Sequence, residues 1–447
     1  MSKKICPTRL LTIVWFGMNS SSSDKKSVRY RLAAWIIGMA SLALMSGSTA
    51  DAAPLPLSLK QAIAMALARN PESAAAAARV HEAAALLKGA GALPELQLNI
   101  GPAFGKNAGS NDEAIILSQA FPLGSKLHWR VKEAAANHLA AIEVQNNVMI
   151  NLILKTSTAY YNALLSDQNL RLAQEGMKLA QQFANTSKTQ FQAGAVAQTN
   201  VLRSQISLAQ AQEQLTTAET ARQIQYAALI NEIGLAPGSN LQLTDGLSVP
   251  EVQFQLNDLI SLAQRMRPDM KAALDTLQSR EAALKQVRTR FQPNLVVEAR
   301  HSTLDPTIGG NTLRAGFVFP LLDHGTIHSQ VKAAQAAIQQ QQAVVDGIKR
   351  TIDLEVKTAF QNYEEAQQIT NSFNTGRLNR AKTLRDKIQL GYGHGSTTYL
   401  ELLDAQQVYL TEKSAYLQAE ASLAIARAEL RYAVGGKLPC VNSKPFK

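Results

Sequence analysis

The amino-acid sequence predicts a mainly α-helical protein in which very long coiled-coil helices carry a small set of membrane-facing β-strands. Three observations lead to this class: two proline-free stretches of 66 residues (125–190 and 325–390), a seven-residue spacing of small and apolar side chains within them, and a tandem duplication with an offset of 197–199 residues. Of the 447 residues, 46% are hydrophobic but only 6% are aromatic. Small side chains therefore dominate, and they suit close helix packing.

Residues 1–52 are predicted to be a leader and signal peptide. The basic segment 25–31 precedes the apolar run 32–45, and Ala50-Asp51-Ala52 offers the small residues of a cleavage site. A membrane anchor would need about 20 apolar residues. Because the run is shorter, cleavage and export are favoured over anchoring.

Charge and cysteine content exclude several classes of protein. The net charge is +11, but residues 1–52 carry seven basic and two acidic residues, which leaves +6 for the remainder. Lys and Arg are scattered rather than clustered, so nucleic acid is not an expected partner. Cys6 belongs to the leader and Cys440 stands alone, so no intramolecular disulfide is expected.

The rest of the chain is predicted to contain two repeats, residues 53–236 and 255–435, with a linker at 237–254 and a tail at 436–447. The repeat is visible in four markers that return in the same order: Arg69-Asn70-Pro71-Glu72 as Arg267-Pro268-Asp269, Pro94 as Pro293, Phe121-Pro122-Leu123 as Phe319-Pro320-Leu321, and Gly194 as Gly391. Such self-similarity over most of a chain indicates one structural unit built twice.

Each repeat is predicted to have the same order of elements. These are a leading helix (57–92 and 256–291), a strand pair (96–123 and 294–322), and a long helix hairpin (125–233 and 325–434). The return helix of each hairpin covers only about half of the long helix. We therefore expect the leading helix to stack end to end with the return helix beside the long one.

The strands alternate apolar and polar side chains, which is the two-residue period of a sheet with one wet face. Leu313, Ala315 and Phe317, for example, alternate with Arg314 and Gly316. Strands of about ten residues can span a bilayer. Four strands cannot close a barrel, and open sheet edges are not tolerated in lipid, so several chains must pool their strands. The alternative is a soluble sheet on a helical stalk, as in a periplasmic coiled-coil adaptor or structural protein.

The motifs of the two repeats, taken in their order along the chain, resemble those of TolC-type outer-membrane factors, the outer membrane efflux proteins. The likeness covers about residues 57–435. It depends on the duplicated order and on motifs such as Ala66-Leu67-Ala68-Arg69-Asn70-Pro71-Glu72, Phe317-Val318-Phe319-Pro320-Leu321, Phe191-Gln192-Ala193-Gly194, and Gly391-Tyr392 continuing to Leu403-Asp404-Ala405. The segment 89–94 looks more like the heavy-metal-efflux branch than the drug or protein-secretion branches.

The resemblance implies a homotrimer in which four strands per chain form a twelve-stranded outer-membrane β-barrel, continued by an α-barrel tunnel into the periplasm of a Gram-negative bacterium. It implies a passive exit duct of a tripartite efflux system for metal cations or small toxic compounds. The partners would be outer-membrane lipid, a periplasmic adaptor and an inner-membrane pump, with the resistance-nodulation-division type favoured. A type I protein-secretion duct with an ABC exporter is the alternative within this class.

By the same resemblance, the periplasmic hairpin tips carry a gate. Tyr392 would take part in the closing contacts, and Glu401 and Asp404 would face the lumen as acidic rings. Asn200 occupies the corresponding place in the other hairpin, where the family often has Asp. The turns at the hairpin tips are marked by glycines: Gly194, Gly391, Gly393 and Gly395.

The residues themselves support the acidic pair independently of the resemblance. Glu401 and Asp404 lie three residues apart on one helical face just past a turn, and three chains would present six carboxylates in a throat. The alternative is a solvated pair in the first helical turn, stabilised by the helix dipole.

No motif for catalysis or cofactor binding is found in the sequence. His324 and His328 are the only histidines at helical i, i+4 spacing, and two ligands fall short of the three or four of a metal site. The segment Gly391–Gly395 lacks the preceding strand and following Lys-Ser/Thr of a phosphate loop. The protein is therefore not expected to be an enzyme.

Overall fold

The computed structural model describes residues 55–101, 114–250, 252–302, 311–394 and 396–439. The leader, Gly395, Cys440 and most of the predicted tail lie outside the described residues.

Among the residues that the structure describes, no helix is both long enough and apolar enough to cross a membrane.

Nine α-helices and six strands account for most of the described residues. The helices are α1 (Leu59–Arg69), α2 (Pro71–Ala90), α3 (Lys126–Gln192), α4 (Gln198–Glu232), α5 (Leu256–Met266), α6 (Pro268–Arg288), α7 (Thr326–Ser372), α8 (Leu378–Gly393) and α9 (Tyr399–Ala433). The strands are β1 (Leu55–Leu57), β2 (Gln97–Gly101), β3 (Ala114–Pro122), β4 (Leu241–Leu243), β5 (Asn294–Ser302) and β6 (Asn311–Val318).

Of the two long helices predicted, the first is confirmed and the second is interrupted. Helix α3 runs unbroken for 67 residues, which is about 100 Å at ~1.5 Å per residue. The predicted second helix divides into α7 and α8 at a π-helical segment, Phe373–Arg377, where Gly376 has a φ of 103°. Such left-handed backbone is accessible to glycine and breaks the α-helical hydrogen-bond pattern.

The prediction of unbroken leading helices was wrong in both repeats. Each is divided by a proline at the first position of the following helix, after Asn70 in the first repeat and after Arg267 in the second. Proline lacks the N–H that would continue the preceding helix, and it restrains the residue before it to extended backbone. Asn70 accordingly has φ −68° and ψ 132°, and its side chain caps the new helix through the Glu72 N–H.

The second part of each leading helix stacks on the end of a return helix, as expected. The Asn70 side-chain amide donates to the carbonyl of Glu232, the last residue of α4. At the equivalent junction, Arg267 donates to the carbonyl of Ala433, the last residue of α9. At both junctions a side chain donates to the carbonyl of the last residue of the return helix. Asn70 makes this contact in the first repeat, and Arg267 makes it in the second.

The helices form a layer in which α3 and α6 are the two central members. Helix α3 contacts α2 and α4 on one side and α6 and α9 on the other, while α7 packs against α6 and α9. Each half of the layer has its own apolar core. Leu152, Tyr160 and Leu229 belong to the first core, and Ile352 and Tyr363 belong to the second.

Four strands form one antiparallel sheet in the order β2-β3-β5-β6, so the two predicted strand pairs are neighbours in a single sheet. The register confirms the predicted alternation of faces. One row across the sheet is apolar and the next is polar: Leu98, Leu117, Ala299 and Leu313, followed by Gln97, Ser118, Glu298 and Arg314. The outer edges of β2 and β6 are not paired with any strand among the described residues.

A second, two-stranded parallel sheet was not predicted. Strand β1 pairs with β4, which lies inside the predicted linker. The Tyr160 hydroxyl on α3 lies 2.9 Å from the Leu57 carbonyl oxygen and 3.0 Å from the Asp245 carboxylate, which also accepts from the Leu59 N–H. Strands of three residues are too short for a two-residue alternation to reveal them.

Candidate functional site

Two helix hairpins end side by side at the tip farthest along the chain from the four-stranded sheet. One is the turn from α3 to α4, and the other is the turn from α8 to α9. Gly194 follows the end of α3 with a φ of 74°, a left-handed conformation that glycine adopts without steric cost. The predicted turn glycine is therefore located as expected.

The glycines of the other hairpin differ from the prediction. Gly391 and Gly393 lie in the last turn of α8 rather than in the connecting turn, and Gly395 lies outside the described residues. Gly391 is required by a close approach: a Cβ at this position would lie 2.8 Å from the Thr397 methyl group. Thr397 packs here because its hydroxyl donates to the carbonyl of Ile388.

Tyr392 links the two hairpins. Its hydroxyl donates to the side-chain oxygen of Gln190, near the end of α3, at 2.9 Å. Tyr399, buried at the start of α9, packs between Tyr392 and Phe183, with ring centroids 6.2 Å and 6.4 Å away. Burial raises the pKa of Tyr399, so Tyr399 acts as a neutral packing group at physiological pH.

A second link between the hairpins lies further from the tip, at Glu175 on α3. Its carboxylate pairs with Lys413 of α9 at 2.9 Å and lies 3.8 Å from Arg385 of α8. The Arg385 guanidinium stacks over the ring of Tyr409, 4.0 Å from the centroid. One carboxylate therefore holds both helices of the second hairpin against the first.

Glu401 and Asp404 lie on the exposed side of α9, opposite the buried Leu402 and Ala405. The Glu401 carboxylate accepts from the N–H and the hydroxyl of Thr398, and Thr398 caps the helix in return. Hydrogen bonds from the Thr398 backbone and side chain lower the pKa of Glu401. Glu401 thus completes the capping box of α9, and both carboxylates point away from the core of their own chain.

Asn200 lies half-buried in the first turn of α4, where its N–H donates to the Ala197 carbonyl. Its side chain makes no hydrogen bond to any residue that the structure describes. The Asn200 side chain is therefore not hydrogen-bonded to Tyr392 or to Gln190.

Sequence analysis did not identify Gln190, Glu175, Arg385 or Lys413. The partners are far apart in sequence, and Lys and Glu residues are common on exposed helix faces. The seven-residue spacing does place Ser187, Ala180 and Ala173 on the packing seam of α3, but it does not show which polar neighbours bridge the hairpins.

Among the described residues, no group of three or more His, Cys, Asp or Glu side chains could hold a metal ion.

Comparisons with known proteins agree on one protein family. The family model described as "Outer membrane efflux protein" matches residues 62–235 and 259–436. The cation efflux system protein CusC of Escherichia coli K12 is 24% identical over 411 residues, covering 85% of this chain and 86% of CusC. The probable outer membrane lipoprotein SilC of Salmonella typhimurium is 24% identical over 404 residues, covering 84% and 85% of the two chains.

Solved structures show the same fold. A crystal structure of CusC has a TM-score of 0.71 at 19% identity, covering 85% of this chain and 92% of that one. The CmeC outer membrane channel of Campylobacter jejuni has a TM-score of 0.69 at 19% identity, with 85% of each chain covered. The predicted class, long coiled-coil helices with a four-stranded contribution to a membrane barrel, is confirmed by these likenesses.

Proposed function

The chain belongs to the outer membrane efflux protein family, and on this basis we propose that it is the trimeric exit duct of a tripartite efflux system that expels metal cations. The observation that carries the proposal is the sheet with one apolar face and two edges that pair with no strand among the described residues. In lipid, those edges need neighbours from other copies of the chain. Three chains of four strands give a closed barrel of twelve.

Cations are favoured over other substrates by the relatives. CusC proteins are named for cation efflux and align over 85% of this chain, whereas the toluene efflux protein TtgF of Pseudomonas putida is 22% identical and aligns over 75%. A periplasmic adaptor, the alternative from another class, is set aside by the family match. The partners proposed are an adaptor and an inner-membrane pump. Exposed apolar side chains near the tip, such as Leu202, Ile206 and Leu390, offer them a contact surface.

The first test is assembly and transport in one preparation. Detergent-extracted protein should be a trimer that forms conducting channels in planar bilayers, because closing the barrel requires three chains. Deletion of its gene should sensitise cells to transition-metal salts and not to toluene. A monodisperse, non-conducting monomer would reject the duct, and sensitivity to toluene alone would reject the cation substrate.

The second test concerns the Tyr392–Gln190 link, which we propose helps to close the tip. Tyr392→Phe removes one hydrogen bond per chain, a net contribution of about 0.5–1.5 kcal/mol each, so channels of this variant should open more often at the same voltage. Gln190→Ala should have the same effect, and the double variant should add little to either. Tyr416→Phe is the matched control, since the Tyr416 hydroxyl bonds Glu420 within its own helix. Equal open probability in all variants would contradict the closing role.

A further inference from the structure

Trp129 lies in the first turn of α3, and two lysine ammonium groups lie over its indole ring. The Lys285 ammonium, on α6, is 4.5 Å from the centroid of the indole ring, and the Lys132 ammonium, on α3, is 5.2 Å away. His128 packs edge-on against the indole, with ring centroids 4.9 Å apart. The cluster therefore joins two neighbouring helices through one aromatic ring.

Lys132 and Lys285 have no anionic partner in the part of the chain that the structure describes. Both side chains are exposed, and neither makes an ion pair or a hydrogen bond with any residue that the structure describes. Glu281, one turn before Lys285, is not within ion-pair distance. The ring attracts each ammonium group but neutralises neither charge. An anion bound beside the two ammonium groups would neutralise both.

In the proposed barrel the hydrocarbon core would end near Pro122, which would place the cluster at the level of the lipid headgroups. Trp129 is seven residues beyond Pro122, where β3 ends, and about 5 Å into α3 at ~1.5 Å per residue. The headgroup layer beyond the hydrocarbon core is about 5–7 Å thick on each side. A tryptophan with lysines is the type of cluster that suits this layer, because the indole is apolar with one polar edge and phosphates are anionic.

The cluster also faces outward. Trp129 and Lys132 occupy the same seven-residue positions of α3 as Ile150 and Ile153, three heptads later, and these line the groove beneath Leu59 of α1. Helix α1 lies on one face of the layer. That face must form the outer surface of the duct, because elements on the inner face would fill the lumen. Helices α3 and α6 are central in the layer, so neighbouring copies, which would join at its sides, leave the cluster uncovered.

We infer that Trp129, Lys132 and Lys285 bind the phosphate headgroup of an anionic phospholipid in the inner leaflet of the outer membrane. The inference rests on the proposed function, since it requires the strands to be in that membrane. The two ammonium groups would donate to the phosphate oxygens, and the indole would lie along the glycerol and the first methylenes of the acyl chains. The bound lipid would fix the depth of the barrel in the bilayer.

The fluorescence of Trp129 can report lipid binding in the test. Trp129 is the only tryptophan after residue 52, because Trp15 and Trp35 both precede that point. The purified trimer is reconstituted into mixed bilayers containing brominated phosphatidylglycerol or brominated phosphatidylcholine, and quenching of tryptophan fluorescence gives the relative binding of each lipid. Trp129→Phe gives the background signal.

Phosphatidylglycerol should bind roughly 30-fold better than phosphatidylcholine, since each of the two lysines gives about a fivefold preference for an anionic headgroup. Lys132→Gln with Lys285→Gln should reduce the ratio to near one. The matched control, Lys60→Gln with Lys178→Gln, removes the same charge from exposed lysines far from the four-stranded sheet and should leave the ratio unchanged. Native mass spectrometry should show fewer retained phosphatidylglycerol molecules in the first double variant alone.

Conductance of the same preparation separates the two proposals. A conducting trimer whose Trp129 is quenched equally by both lipids, or by neither, would overturn the lipid site and leave the duct intact. A preparation that fails to insert or conduct would overturn the duct itself, and the lipid site with it. Loss of the preference in the control variant would also overturn the site, because it would show a general charge effect.

Discussion

Arg267→Ala is expected to destabilise the protein more than any other single change at the helix junctions, by about 3 kcal/mol, because it removes a buried cation that pairs with two partly exposed carboxylates. Arg267 is 3% exposed. Its guanidinium pairs with Asp269 at 2.6 Å and with Glu355. Burial on its own would lower the pKa of Arg267, but the hydrogen bonds to Asp269 and Glu355 outweigh it and raise the pKa.

The equivalent residue of the first repeat provides the comparison. Asn70→Ala loses a helix cap and one hydrogen bond, and about 1–2 kcal/mol is expected. The midpoint of thermal loss of helicity should therefore fall clearly further for Arg267→Ala than for Asn70→Ala. Adding Asp269→Asn and Glu355→Gln to Arg267→Ala should recover part of the loss, since no unpaired carboxylate then remains at the site. Equal melting of the wild type and Arg267→Ala would contradict the role of the cluster.

Neutralising Glu401 and Asp404 together is expected to give the largest change in ion selectivity. Three copies of each carboxylate in a narrow throat would raise the local cation concentration, an effect that salt screens over a Debye length of ~10 Å at 0.1 M. Glu401→Gln with Asp404→Asn should reduce cation over anion permeability several-fold and weaken block by multivalent cations. Glutamine can replace glutamate in the capping box with Thr398, so the helix start should be preserved.

Reversal potentials across a salt gradient, with the trimer checked by gel, measure this effect. Glu213→Gln with Glu219→Gln is the matched control, because both are exposed carboxylates on α4 and far from the tip. An unchanged reversal potential and unchanged cation block in the tip variant would show that the two carboxylates face outward. The tip turn would then be better assigned as a docking surface for the adaptor.

Elements with a strong periodic signal could be predicted from the sequence. The unbroken α3 follows from a long stretch free of proline, and the faces of the sheet follow from strict alternation, as in Leu313 and Arg314. The division between α7 and α8 could not be predicted in this way, because Gly376 is a weak breaker that helices often tolerate. Its effect depends on packing around it, including Phe373 against Tyr416 at 5.7 Å.

The candidate site was predicted less completely than the fold. Tyr392 was identified through a family likeness, but its partner Gln190 is 202 positions away and is one of many glutamines in the chain. Arg267 is a further example, because a charged residue beside a proline is typical of an exposed turn. Burial of Arg267 depends on Glu355, which α7 contributes from 88 positions away, as well as on the local Asp269, and no local pattern specifies the distant partner.

The π-helical segment at Phe373–Arg377 gives the second hairpin a pivot that the first hairpin lacks. From Arg377 to His394 the chain forms a lever arm of about 25 Å at ~1.5 Å per residue, so a rotation of ~10° at the pivot would displace the end by about 4 Å. Two contacts oppose that rotation. Arg377 pairs with Glu412 at 2.6 Å and stacks over the ring of Phe373. A force applied at the tip would have to break the contacts of Tyr392 and Arg385 with α3 before it moved this hairpin, while the continuous α3 would stay straight.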